Sequence, residues 1–184
     1  MEWGFWHVTF AILVPGIVLA SWIDYSQRRV PNWLNLALVL MGFAAQGWFY
    51  GPQGITAALW GMLAGFGLLI VPWMMQGMGA GDVKLLAAIG VWIGPKLVLY
   101  SFVLGVLIGG LCATVMILST GRLRAACANM AVILTKCSTR HTVFSEFGSV
   151  KSFGASSQLL PYGVPLSVGT LVILAARTLG WWGI

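Results

Sequence analysis

The chain has 184 residues, of which 59% are hydrophobic and only 8% are charged, and its mean hydropathy is +0.92. A soluble domain usually has about 25% charged residues, so this composition excludes an ordinary water-soluble domain and indicates a protein surrounded by lipid. The net charge is +6. The basic residues lie between apolar segments, so we expect them to contact lipid headgroups, and we expect no nucleic-acid binding.

Six apolar segments are candidate membrane spans, since a span takes roughly 17 to 25 predominantly apolar residues. We therefore predict an all-α fold, a polytopic membrane helix bundle of about six transmembrane helices in a single domain over residues 1–184. Residues 119–158 are predicted to form a cytoplasmic loop, in which the apolar stretch 125–134 would lie in the membrane interface or pack on the bundle. The predicted spans cover approximately residues 5–23, 33–50, 55–75, 83–92, 97–118 and 164–179.

The basic residues predict the orientation of the chain. If the N-terminus is outside, Lys96 and Arg177 face outward, and the other eight of the ten basic residues face the cytoplasm, where Lys and Arg normally accumulate. We therefore predict an N-out, C-out arrangement. It places the end of the first helix and the start of the fourth at the same face. The eight residues are Arg28, Arg29, Lys84, Arg122, Arg124, Lys136, Arg140 and Lys151.

Two of the four acidic residues lie at the ends of apolar segments. Asp24 ends the first segment and Asp82 opens the fourth, so both are predicted at the cytoplasmic boundary of the bilayer. Acids at membrane depth cost on the order of 2.5 to 3.5 kcal/mol on insertion scales, and they usually have a function. Two carboxyl groups that meet do not readily ionise together. One can then hold a proton as general acid while the other activates water as general base.

A purely structural explanation of the same acids stays open at this point. Asp82 follows Gly81 and opens a helix, so it also suits a position in the first turn, where the helix dipole favours negative charge. Asp24 also suits an ion pair with Arg28 one turn later. Position alone does not decide between these roles and catalysis.

Three short motifs surround these acids. Asp82 ends the string Gly79-Ala80-Gly81-Asp82 and is followed by Lys84, which gives G-x-G-D-x-K, while Asp24 heads a D-x-x-x-x-x-V-P-N string that ends in Pro31-Asn32. Pro161-Tyr162-Gly163 opens the last span. In this order the three motifs resemble those of the type IV prepilin peptidases, membrane aspartyl proteases of the G-x-G-D class. Val164 departs from the family pattern, since Pro is common there.

The resemblance implies that Asp24 and Asp82 form a catalytic dyad. They would cleave the leader peptide of prepilins at the cytoplasmic face of the bacterial inner membrane, with no cofactor and no metal. Gly79 and Gly81 would let the backbone approach the substrate, or would simply give turn flexibility. Lys84 would bind lipid headgroups or influence the Asp82 charge. The supporting residues are Gly79, Gly81, Lys84, Pro31, Asn32, Pro161, Tyr162 and Gly163, of which the Pro31-Asn32 and Pro161-Tyr162-Gly163 groups also suit simple helix starts.

Long members of that family carry paired C-x-x-C zinc cysteines and also methylate the product. This chain has three cysteines and no C-x-x-C pair, so we expect a peptidase without methyltransferase activity, similar to the short form of tight-adherence (Flp) pilus systems or to archaeal-type relatives. Two other functions stay open: a small proton-coupled transporter with paired acids near a broken helix, and a non-catalytic pilus assembly factor. The expected partners are a prepilin substrate and membrane lipid, and no oligomeric state is predicted.

Overall fold

The computed structural model of the chain describes residues 2–27, 30–74, 79–120 and 163–179. Every element in these ranges is an α-helix and none is a strand, which confirms the all-α fold class. By length and composition, α1, α2 and α3 contain apolar stretches long enough to cross a membrane, whereas α4 is shorter. The helices are α1 (Glu2–Gln27), α2 (Asn32–Met74), α3 (Ala80–Thr120) and α4 (Gly163–Thr178).

Two of these helices bend sharply at a glycine. Gly51 in α2 has φ 61° and Gly94 in α3 has φ 77°, a left-handed backbone that glycine adopts readily because it has no Cβ. A proline follows each of them, and proline cannot donate the hydrogen bond that continues a helix. The sequence predicted a turn at Gly51-Pro52-Gln53-Gly54 and a break at Gly94-Pro95, and the two bends lie at these places. The resulting segments are residues 32–50 and 52–74 of α2, and residues 80–93 and 95–120 of α3.

With α1 and α4, the described ranges hold six helical segments where the sequence predicted six spans. The number of membrane crossings and the N-out, C-out orientation stay predictions. The predicted loop at 119–158 lies outside the described residues except for its first two positions. By its internal contacts the chain divides into two compact units, residues 1–109 with 161–184 and residues 110–160, and the described part of the second unit is the end of α3.

The first segment of α3 is the most deeply buried part of the larger unit. Leu85, Leu86, Ile89 and Trp92 have no exposed surface, although the surrounding helices present large apolar side chains outward. An apolar exterior of this kind suits lipid, since a water-soluble protein of this size rarely exposes large contiguous apolar patches. The segment that begins at Asp82 therefore runs through the centre of this unit.

Glycines let the second segment of α2 approach this central segment closely. A Cβ on Gly61 would collide with the Gly90 backbone, and a Cβ on Gly90 would collide with the Gly61 backbone. Gly65 meets the backbone of Leu86 in the same way. Small residues at such contacts are typical of helix pairs in membranes, because they let the backbones come together.

A buried glutamine joins the first segment of α2 to the central segment. Gln46 donates from Nε2 to the carbonyl oxygens of Val91 at 3.2 Å and Trp92 at 3.3 Å. The Val91 carbonyl would normally accept a hydrogen bond four residues later, but Pro95 has no N–H to donate. Trp92 Nε1 in turn donates to the carbonyl oxygen of Leu38 at 2.9 Å. These bonds satisfy polar groups that the bend exposes and hold α3 against α2.

The close approach of Gly61 to Gly90 predicts a specific loss of stability. The Gly61→Val substitution should lower the free energy of unfolding by about 1–3 kcal/mol, because the new side chain has to push the two helix backbones apart. Thermal unfolding of the purified protein in lipid nanodiscs measures the change. Gly67→Val is the matched control, since Gly67 lies in the same segment and a Cβ there would meet nothing. Equal melting temperatures for the two variants would contradict the predicted packing.

Candidate active site

The carboxyl groups of Asp24 and Asp82 meet beside Gly163. A Cβ built on Gly163 would lie 2.6 Å from Oδ2 of Asp24 and 3.3 Å from Oδ1 of Asp82. Because both oxygens lie so near a single point, their separation cannot exceed the sum of these two distances. One water molecule, or one carbonyl oxygen, placed between them would be within hydrogen-bond reach of both.

Three helix ends bring these groups together. Asp24 lies in the last turn of α1, Asp82 lies in the first turn of α3, and Gly163 begins α4. Asp24 is 5% exposed and Asp82 is 6% exposed. Two carboxyl groups this close and this well shielded from water repel each other strongly if both are ionised, which favours a state with one proton between them.

The start of α4 holds Asp24 in place. The Gly163 backbone N–H donates to Oδ2 of Asp24 at 3.1 Å, in a buried hydrogen bond. This N–H is one of the first four in a helix, which have no carbonyl partner within the helix and favour an anionic acceptor. Any side chain at position 163 would occupy the space that the carboxyl oxygens now fill. The structure therefore gives Gly163 a defined place between the two acids.

The start of α3 holds Asp82. The Asp82 N–H donates to the Gly79 carbonyl oxygen at 3.1 Å, and Oδ2 of Asp82 turns back to lie beside the Gly79 backbone. An acidic side chain in the first turn that faces the start of its own helix is favoured there, because the first N–H groups have no carbonyl partner within the helix. Asp82 thus has the structural role that its position suggested. Its other oxygen, Oδ1, faces Gly163 and Asp24, so the capping role and the meeting of the acids occur together.

Gly81 makes a close contact that the sequence did not predict. A Cβ on Gly81 would lie 3.2 Å from Cβ and 3.3 Å from N of Val30, on the segment that leads into α2. Among the described glycines only Gly51 and Gly94 have positive φ, so Gly81 is not required here for an unusual backbone angle. Its small size lets Val30 pack against the first turn of α3, which carries Asp82.

Of the remaining predicted residues, some make contacts that the structure describes and others lie outside the described residues. Lys84 donates from Nζ to Oδ1 of Asn32 at 2.8 Å, an exposed bond that joins the start of α3 to the start of α2. The Pro31 carbonyl oxygen accepts a hydrogen bond from the Asn35 backbone at 3.4 Å and so opens α2. Pro161, Tyr162 and Arg28, the predicted ion-pair partner of Asp24, lie outside the described residues.

Asn35 is a polar residue at this junction that sequence reasoning missed. It is 3% exposed, and its Nδ2 donates to the Gly81 carbonyl oxygen at 3.4 Å. The available signal was a second asparagine, one helical turn after Asn32, at the start of an apolar run. Within the ranges that the structure describes, no group of three or more His, Cys, Asp or Glu side chains is placed to hold a metal ion.

Comparison with known proteins gives consistent matches. Residues 11–114 match the model of the type IV leader peptidase family, a range that contains both aspartates. The chain is 31% identical over 126 residues to a prepilin leader peptidase/N-methyltransferase of Stutzerimonas stutzeri, and 32% identical over 134 residues to one of Xanthomonas campestris pv. campestris. These alignments cover 61% and 67% of this chain and 43% and 46% of the relatives.

A similarly named protein of Escherichia coli K12 is 38% identical over 87 residues, which cover 42% of this chain and 37% of that relative. The chain therefore spans less than half the length of these curated relatives. No solved structure matches the chain.

Proposed function

Because the chain belongs to the type IV leader peptidase family, we propose that it is a membrane aspartyl endopeptidase that removes the leader peptide from prepilin-like precursors. The observation that carries the proposal is the pair of buried carboxyl groups, Asp24 and Asp82, which face one point beside Gly163. Two acids placed to share one proton can supply both the general acid and the general base that hydrolysis of a peptide bond needs.

The geometry supports a reaction in which a water molecule lies between the two acids. The ionised carboxylate takes a proton from this water as its oxygen attacks the carbonyl carbon of the scissile peptide bond. The protonated carboxyl group donates to the carbonyl oxygen, which gives a tetrahedral intermediate. When the intermediate collapses, the C–N bond breaks and the leaving nitrogen receives a proton, so the dyad returns to its state with one proton. No cofactor enters these steps.

Backbone groups keep the dyad in position for this reaction. The Gly163 N–H fixes Oδ2 of Asp24, and the Gly79 backbone lies against Oδ2 of Asp82. Both backbone groups belong to helix starts, so they are already oriented before the substrate arrives. Fixed donors of this kind need no rearrangement during the reaction, which is an advantage over flexible side chains.

Exposed aromatic residues near the dyad support a site at the membrane surface. Trp22 and Tyr25 lie in the last turns of α1, Trp33 lies in the first turn of α2, and each is more than half exposed. Trp and Tyr concentrate where a bilayer meets water. In the proposed arrangement this rim is the cytoplasmic face of the bacterial inner membrane. Water reaches the dyad there, while the apolar helix of the precursor stays in lipid.

The names of the relatives support a prepilin as the proposed substrate. Those proteins are named for a prepilin leader peptidase and for an N-methyltransferase, and this chain matches less than half of their length. We assign the matching region to the peptidase activity, since both aspartates lie inside it. Flp-type precursors as the substrate, and cleavage without methyl transfer, remain our predictions.

Replacing either acid tests the proposal. Asp24→Asn and Asp82→Asn keep the side-chain shape, so the protein should fold, but the dyad loses a group that can take up or release a proton. We expect cleavage of a prepilin to fall at least about a hundredfold, which is the usual contribution of acid–base catalysis. Purified protein incubated with the precursor, followed by mass spectrometry of the products, measures the rate.

Glu146→Gln provides the control for these variants, because it removes a carboxyl group from the predicted loop and should leave cleavage unchanged. Full cleavage by either aspartate variant would refute the dyad. A pilus assembly factor or another scaffold would, by contrast, continue to work without the two acids.

The place of Gly163 between the acids gives a second prediction. In Gly163→Ala the added methyl group would lie 2.6 Å from Oδ2 of Asp24, so the carboxyl group has to move. We expect kcat to fall roughly tenfold to a hundredfold, as small misplacements of catalytic groups do. Gly67→Ala is the matched control, since a Cβ there meets nothing. Equal kcat values for the two variants would show that the residue at position 163 does not control the position of the Asp24 carboxyl group.

A further inference from the structure

Asn35 connects the first turn of α2 to the first turn of α3, which carries Asp82. Its Nδ2 donates to the carbonyl oxygen of Gly81 at 3.4 Å, and this carbonyl belongs to the peptide bond between Gly81 and Asp82. Val30 packs against Gly81 as well. The peptide next to Asp82 is therefore held by two residues from the segment that begins α2.

The other half of the Asn35 amide is unusual. Its Oδ1 is buried and has no hydrogen-bond partner among the described residues. Rotating the amide by 180° would not remove the problem of the unpaired oxygen, because Oδ1 would then face the Gly81 carbonyl oxygen, and two acceptors repel each other. A buried acceptor without a donor lowers the free energy of unfolding by at least as much as one long hydrogen bond raises it. Stability therefore does not explain why asparagine is present here.

Gln46 shows what a structural amide in the same helix looks like. It is also buried and also donates to backbone carbonyl oxygens of α3, but it makes two bonds, to Val91 at 3.2 Å and to Trp92 at 3.3 Å. It lies about 16 Å further along α2 than Asn35, at a rise of about 1.5 Å per residue. Gln46 satisfies groups at the bend in α3, whereas Asn35 contributes one long bond beside the dyad.

We propose that Asn35 is a positioning residue for the dyad: it fixes the Gly81–Asp82 peptide so that the Asp82 carboxyl group faces Asp24. This inference rests on the proposed peptidase function. Local departures from the most stable side chain are expected where a site needs a particular geometry. The position of the unpaired amide, one peptide bond away from Asp82, fits that expectation.

The experiment compares Asn35→Leu with Gln46→Leu in lipid nanodiscs, beside the unsubstituted protein and Asp82→Asn. Melting temperature, kcat and KM are measured with a prepilin substrate. For Asn35→Leu we expect a melting temperature close to that of the unsubstituted protein, because the one long hydrogen bond and the one unpaired oxygen are removed together. We also expect a kcat reduced roughly tenfold to a hundredfold and an unchanged KM, since the substrate-binding surface is intact. For Gln46→Leu we expect the reverse: a lower melting temperature, because two buried carbonyl oxygens lose their donor, and an unchanged kcat in the folded protein.

Asn35→Ala guards against a failure of Asn35→Leu to fold. Alanine removes the donor to the Gly81 carbonyl oxygen without adding bulk or charge, so kcat should again fall. Unchanged kcat in the folded variants would overturn the inference, and so would the loss of folding in both. The proposed function itself fails if the unsubstituted protein does not cleave the prepilin, or if Asp82→Asn cleaves the prepilin as fast as the unsubstituted protein does. Loss of cleavage in Asp82→Asn together with full activity in the Asn35 variants refutes only the role of Asn35.

Discussion

A single buried hydrogen bond, from the backbone N–H of Gly163 to the carboxyl group of Asp24, closes the junction where the ends of three helices meet. It brings the start of α4 against the end of α1. The position of Gly163 next to Oδ1 of Asp82 then adds the start of α3. A carboxyl group buried at this depth is unfavourable without a donor, so the bond both stabilises the acid and fixes its direction.

Contacts elsewhere in the fold hold the three helices of this junction in fixed positions. Small residues bring the helix backbones together along their length, as at Gly61 with Gly90 and at Gly169 with Gly105. Gln46 ties the bend of α3 to α2. Since lipid gives no hydrophobic drive for helices to associate, such packing and hydrogen bonding have to supply it. The two carboxyl groups are therefore positioned by packed helices.

Hydropathy was enough to predict an all-α chain. Together with the basic residues it also predicted Asp24 and Asp82 at one face, since Asp24 ends one apolar run and Asp82 opens another on the predicted basic side. The sequence could not show which atoms touch, because that depends on how each helix is rotated and crossed against its neighbours. The contact of Gly81 with Val30 and the inward direction of Asn35 follow from that rotation. The glycine–proline pairs marked the breaks correctly, because in each pair a glycine with positive φ and a proline without an N–H interrupt the helix.

Cysteine crosslinking across the junction measures whether the two acid positions meet in the membrane. In a background with Cys112, Cys127 and Cys137 replaced by serine, Asp24→Cys combined with Asp82→Cys should be joined by a short thiol crosslinker and identified by mass spectrometry. Phe5→Cys with Phe49→Cys is the positive control, because these rings lie 5.9 Å apart. Asp24→Cys with Gln53→Cys is the negative control, because Asp24 lies at the end of α1 whereas Gln53 lies in α2, close to the start of α1. Crosslinking of the positive control without crosslinking of positions 24 and 82 would contradict a shared site.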